Sequence, residues 1–188
     1  GGQTGLVDGR QMLRAVPERI AQRAAEHGWR LTRRYSDELI GLPWQEAFGT
    51  EDPAEAARRA RETGATAQWR DDTLVTERVL PAVWGEDPAW VNLMAFASEW
   101  TLEPEVHQFL VETVGRSGLP MATAYGDGSP LPPGDVKALD DAYRSIEIDI
   151  DWRAGDLLLI DNLRTAHSRL AYTGTREMVV MHGRWRAS

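Results

Sequence analysis

Trp29–Tyr35 (WRLTRRY) alternates Trp29, Leu31 and Arg33 against Arg30, Thr32 and Arg34, a period of two that predicts a strand. Thr66–Arg70 and Thr73–Leu80 flank Asp71-Asp72 as the arms of a hairpin. Trp90–Phe96 (WVNLMAF) is expected to be a buried strand with Asn92 as its one polar interior residue. Near the end, the apolar block Leu157–Ile160, the short segment Thr165–Arg169 and Met178–His182 are three more strand candidates. Helical signals alternate with these. Asp8 suits the N-cap of Gly9–Ala15, Pro17 leads Glu18–His27 with Gly28 as its stop, and Asp52-Pro53 opens Ala54–Glu62 before Gly64. Pro104–Val114 is amphipathic, with Val106, Phe109 and Leu110 predicted inward and His107 exposed; Pro133–Ile146 is the last helix. Leu119–Pro133, dense in Gly and Pro, reads as loop.

Composition narrows the class. The 188 residues fit one domain over 1–188, and 42% hydrophobic with 27% charged residues is ordinary for a globular protein. No apolar run reaches about 18 residues and the start carries no signal-peptide pattern, so a cytoplasmic protein without membrane contact is expected. Cys is absent, which excludes disulfides and thiolate metal sites. A net charge of -8 argues against a nucleic-acid surface. Arg58-Arg59-Ala60-Arg61 lies among acidic residues and reads as a solvated helix face. Strands with a few inserted helices suit a jelly roll or another α+β sandwich.

Candidate chemistry is concentrated in Trp152–Arg176. His167 stands on one short segment and Arg176 opens the next. Imidazole suits Fe, Zn, Cu or Ni, and a guanidinium clamps a carboxylate through two parallel hydrogen bonds. Taken alone, a single His in a strand is more often a hydrogen-bonded core residue. The wider pattern adds to this. Trp152, Gly155, Asp156, Asp161, Asn162, His167, Arg169, Tyr172, Gly174 and Arg176 together resemble the C-terminal motif of the Fe(II)/2-oxoglutarate-dependent dioxygenases of the taurine dioxygenase (TauD/TfdA) superfamily. The syringomycin-type amino-acid hydroxylases are the branch they resemble most, with Ser168 where that branch usually carries Gly. Gly1-Gly2-Gln3-Thr4 resembles the internal G-G-x-T motif of the same family, Trp44, Phe48 and Thr50 its W-x-x-x-F-x-T insert, and Tyr125–Gly128 a YGDG segment near the active-site mouth. For the last of these, a turn with positive-φ glycines is an equally complete account.

The resemblance implies an α+β, mainly β double-stranded β-helix with inserted helices, incomplete at the N-terminus. Its cofactors would be Fe(II) and 2-oxoglutarate. His167 would be the distal iron ligand and the catalytic residue, Arg176 the partner of the far carboxylate, and Thr4 a supporting hydroxyl. Arg169, with the strand parity of His167, is a candidate 2-oxoglutarate or substrate contact. If Arg176 points inward, Met178, Val180, His182 and Arg184 share its face. Arg184 is then a candidate for a substrate carboxylate or a surface position, and Asn92 for a structural hydrogen-bond bridge or a pocket-lining amide. The partner would be a small-molecule or carrier-tethered amino acid. None of His27, His107, His167 and His182 begins the His-x-Asp/Glu pair that supplies the family's other iron ligands, so residues 1–188 alone should be inactive. Two functions stay open: an oxygenase whose other ligands lie outside this sequence, and a jelly-roll binding or scaffold module that has lost the iron site.

Overall fold

The computed structural model describes residues 2–36, 41–90, 96, 98–168, 172–175 and 177–183. Nine strands form three antiparallel sheets among them. The first is β8 (Ile148–Asp151), β1 (Gln3–Asp8) and β9 (Thr165–His167), with β1 in the middle. The second runs β3 (Thr66–Arg70), β4 (Thr73–Leu80), β2 (Trp29–Tyr35), β7 (Met121–Tyr125), and the third pairs β5 (Val83–Trp84) with β6 (Ala89–Trp90). Six helices among the described residues stand beside them: α1 (Gly9–Ala15), α2 (Glu18–His27), α3 (Trp44–Phe48), α4 (Pro53–Glu62), α5 (Pro104–Val114) and α6 (Pro133–Ile146). The described chain is thus mixed α and β with antiparallel sheets.

Local signals explain most of these elements. The Asp8 carboxylate accepts from the Arg10 backbone N–H at 2.8 Å and caps α1; the Arg10 guanidinium beside it holds that carboxyl down at about 2. Asp52 caps α4 in the same way through Ala54 N–H at 2.9 Å. The β3–β4 hairpin turns on Asp71 at φ 51°, a conformation that Asp tolerates in two-residue turns. Arg58 pairs with Glu55 and Glu62 and Arg59 with Glu55 on a solvated face, Arg61 donates to the Ala67 carbonyl at 3.1 Å, and Ala56, Ala57 and Ala60 lie buried opposite. Small alanines let α4 approach Tyr35, Ala67 and Leu74 closely, and Trp44, Phe48 and Trp69 close that cluster. The larger core joins both main sheets: Val7 of β1 packs with Met12, Ile20, Trp29, Tyr125 and Leu139. Each fully buried large side chain contributes about 1.5–3 kcal/mol.

Gly28 ends α2 at φ 68°, and the chain turns at once into β2. Gly126 donates its N–H to the Gly28 carbonyl at 3.1 Å, so the end of β7 is pressed onto this corner. A Cβ on Gly126 would sit 1.9 Å from the His27 carbonyl oxygen. Gly126→Ala is therefore expected to cost more than about 2 kcal/mol, since backbone must shift to admit it; urea unfolding of the variant checks this.

Several expectations are corrected. Leu119–Pro133 is not all loop: Met121–Tyr125 forms β7, antiparallel to β2, because five residues between proline clusters suffice for a ladder. Helix α5 keeps Leu110 half-buried as expected, but not the rest of its predicted inward face. Val106 and Phe109 are 46% and 58% exposed, while the His107 side chain, at 19%, turns inward to Glu99. Of Trp90–Phe96, Trp90 pairs in β6 with Val83; 91–95 and 97, hence Asn92, lie outside the described residues. Leu157–Ile160 and Met178–His182 form no ladder among the described residues. Leu157 and Leu159 are 95% and 91% exposed. A hydrophobic run becomes a strand only when a neighbouring strand takes up its N–H and C=O groups. No helix among the described residues is long and apolar enough to cross a membrane.

Candidate active site

The sheet β8-β1-β9 places the two described site candidates. Directly opposed residues of an antiparallel pair share a face, as do alternate residues along a strand. Thr4 pairs with Ile150 and Leu6 with both Ile148 and His167. Thr4, Leu6, Ile148, Ile150 and His167 therefore lie on one face. Gly5, Val7 and Ala166 lie on the other, where Val7 and Ala166 meet the core. Gly5 is covered there by Glu147 and Ser168, whose hydroxyl donates to the Glu147 carboxylate at 2.6 Å. His167 and Thr4 are diagonal neighbours, a relation of roughly 7–8 Å, which a small chelating ligand spans.

Their environments differ. The His167 side chain is exposed and has no hydrogen-bond or ion-pair partner among the described residues. Among the described residues it is thus not the hydrogen-bonded core histidine that residue type alone favours. Thr4 is buried, and its Oγ1 accepts the indole N–H of Trp152 at 2.7 Å. Trp152 is held beside it by a backbone N–H bond to the Gly2 carbonyl at 3.2 Å, one rung beyond β8. The sequence motif includes Trp152 but assigns it no role; the signal is its two-residue offset from Ile150, which puts it on the Thr4 face.

By donor type the face suits part of an iron and 2-oxoglutarate site, with one imidazole nitrogen and one hydroxyl. Among the described residues, no group of three His, Cys, Asp or Glu side chains comes together as a metal cage. Arg169, Arg176 and Arg184, with the roles predicted for them, lie outside the described residues. The alternation expected after Arg176 is not seen in Met178–His182, which forms no strand among the described residues and is exposed.

Two other polar clusters fall elsewhere. Glu99 accepts from Arg116 at 2.9 Å and lies 2.7 Å from His107 Nε2, while the Arg116 guanidinium covers the Trp100 ring at 4.7 Å. Glu99, Trp100 and Arg116 border a cleft of about 160 Å³ with Thr123 and Leu131, whose lining among the described residues includes neither Thr4 nor His167. Tyr125-Gly126-Asp127-Gly128 is accounted for as a structural turn, with Gly128 at φ 90° and Asp127 accepting from Ser129 N–H at 2.8 Å. Tyr125 donates its hydroxyl to Asp135 at 2.7 Å, Arg19 reaches the same carboxylate at 2.5 Å, and Arg23 lies 4.2 Å above the tyrosine ring. This ties α2, β7 and α6 together.

The chain is 28% identical over 185 residues to the dapdiamide synthesis protein DdaC of Enterobacter agglomerans, covering 96% of this chain and 56% of that one. It is 27% identical over 197 residues to a clavaminate synthase-like protein of Arabidopsis thaliana, covering 95% and 55%. It thus spans about half the length of the curated relatives it matches. The model of the taurine catabolism dioxygenase TauD, TfdA family matches residues 1–183, and the chain belongs to that family.

Proposed function

We propose that the intact protein is an Fe(II)/2-oxoglutarate-dependent oxygenase that hydroxylates an unactivated C–H of an amino acid or related small molecule. Residues 1–188 would form the C-terminal portion of its double-stranded β-helix. The observation that carries this reading is the shared face of Thr4 and His167 in a chain of this family. The apolar, exposed Leu157, Leu159, Val179 and Met181 favour the jelly roll, since a closed barrel would bury such runs. The relatives named for dapdiamide synthesis and clavaminate synthase favour a small, amino-acid-like substrate.

When bound, Fe(II) and 2-oxoglutarate supply the oxidising chemistry: O₂ is split between succinate, formed with CO₂, and the hydroxyl placed on the substrate carbon. The chain's own residues bind and orient. His167 contributes a nitrogen ligand on the open face of β9. Thr4 gives a hydroxyl to the co-substrate, and Arg176 pairs with its far carboxylate by two parallel hydrogen bonds. Arg169 is a further carboxylate contact, while Asn92 and Arg184 meet the substrate. Small displacements of such groups are costly because orientation supplies much of the rate.

A second reading, a jelly-roll binding or scaffold module, draws on the single imidazole of the face. The two part on one assay. The intact protein, given Fe(II), O₂ and 2-oxoglutarate with a panel of amino acids, is expected to release succinate in step with hydroxylated product. No succinate with any of them, together with ligand binding indifferent to iron, favours the module.

A further inference from the structure

We infer that Trp152 is a positioning residue: its indole N–H occupies the acceptor side of the Thr4 hydroxyl and leaves that hydroxyl to donate to a carboxylate oxygen of bound 2-oxoglutarate. This rests on the oxygenase reading above. An indole nitrogen only donates, so in the 2.7 Å contact the Thr4 oxygen must accept. The single hydroxyl hydrogen therefore points away from Trp152. Thr4 is only 7% exposed, and its side chain makes no other hydrogen bond among the described residues. A buried donor without an acceptor is a costly arrangement, and one that an incoming anion relieves.

Both partners are held for this task. Thr4 lies in the central strand between β8 and β9, and a β-branched side chain is stiff about its first torsion. Trp152 is fixed by its own backbone bond to Gly2. A free threonine accepts or donates with equal ease, whereas one already accepting from an indole prefers an acceptor ligand. An ionised carboxylate offers acceptors alone. The two residues are 148 positions apart, so their meeting is a product of the β1–β8 register.

The test is calorimetric titration of the intact protein with 2-oxoglutarate under argon, with Mn(II) in place of iron so that no turnover intervenes. Trp152→Phe keeps the ring and loses the N–H; Thr4→Val keeps the shape and loses the hydroxyl. Each is expected to weaken 2-oxoglutarate binding about five- to tenfold, and the double variant to bind no more weakly than Thr4→Val alone. Unchanged affinity in Trp152→Phe, or losses that multiply in the double variant, would overturn the inference while the oxygenase reading stands. Absence of binding by the wild-type protein sinks that reading and this one with it. Should Trp152→Phe fold poorly, the indole N–H resonance of Trp152 carries the test. It should move on saturation with 2-oxoglutarate in the wild type and stay in place in Thr4→Val; a resonance unmoved in both overturns the proposal.

Discussion

His167→Ala in the intact protein is expected to lower 2-oxoglutarate turnover more than about a hundredfold, since even partners of metal ligands are worth 10–100-fold. Its folding stability should change by less than about 0.5 kcal/mol. The two halves of this expectation come from different observations. The loss of turnover follows from the nitrogen ligand that His167 would supply on the Thr4 face. The small effect on stability follows from an exposed side chain without a partner among the described residues, at the end of a three-residue strand. Succinate release and a thermal melt on one preparation measure both. A variant that keeps its turnover removes His167 from the site. One that loses turnover and stability together returns it to a structural role.

The Tyr125–Asp135 pair should produce the largest loss of stability. Tyr125 is fully buried beneath Arg23, so Tyr125→Ala is expected to cost about 3–5 kcal/mol through the cavity it leaves. Tyr125→Phe removes only the hydroxyl that reaches Asp135 and should cost about 1–3 kcal/mol. Burial pushes the Tyr125 phenol well above its ordinary range, helped by the bond to Asp135, so it stays protonated and donates. Burial also pushes the Asp135 carboxyl upward, but bonds from Arg19 and Tyr125, with the charges of Arg19 and Arg23, outweigh it and leave the carboxyl below its ordinary value. The sign follows. A depressed folded-state pKa contributes stability above the unfolded value of about 3.9, and that stability is lost as pH falls through the folded value. Asp135→Asn should therefore be least stable relative to wild type at pH near 7, with the gap narrowing below about pH 4. Urea unfolding at both pH values checks it, and a gap that is constant or widens in acid contradicts it.

The elements legible in the residues are those whose signals are local. Caps at Asp8 and Asp52, the stop at Gly28 and the two-residue period of Trp29–Tyr35 all act within a few positions, and each is found where it was expected. The errors share a cause. Whether Phe109 or His107 faces inward depends on what lies beside α5, and Glu99 with Arg116 offered polar partners that a periodicity count does not see. β7 is hidden among prolines because the neighbour it joins, β2, pairs with it across 88 to 96 positions.

By itself the sequence determined the family, the helices and hairpin, and the two residues most worth testing, because motif spacing and capping chemistry are written in the local order of side chains. Only the tertiary structure decided that Thr4 and His167 share a face, that Trp152 claims the Thr4 oxygen, and that Leu157–Ile160 stays without a ladder among the described residues. Those outcomes are settled by strand register, which brings together residues far apart in the chain, Thr4 and Trp152 across 148 positions among them.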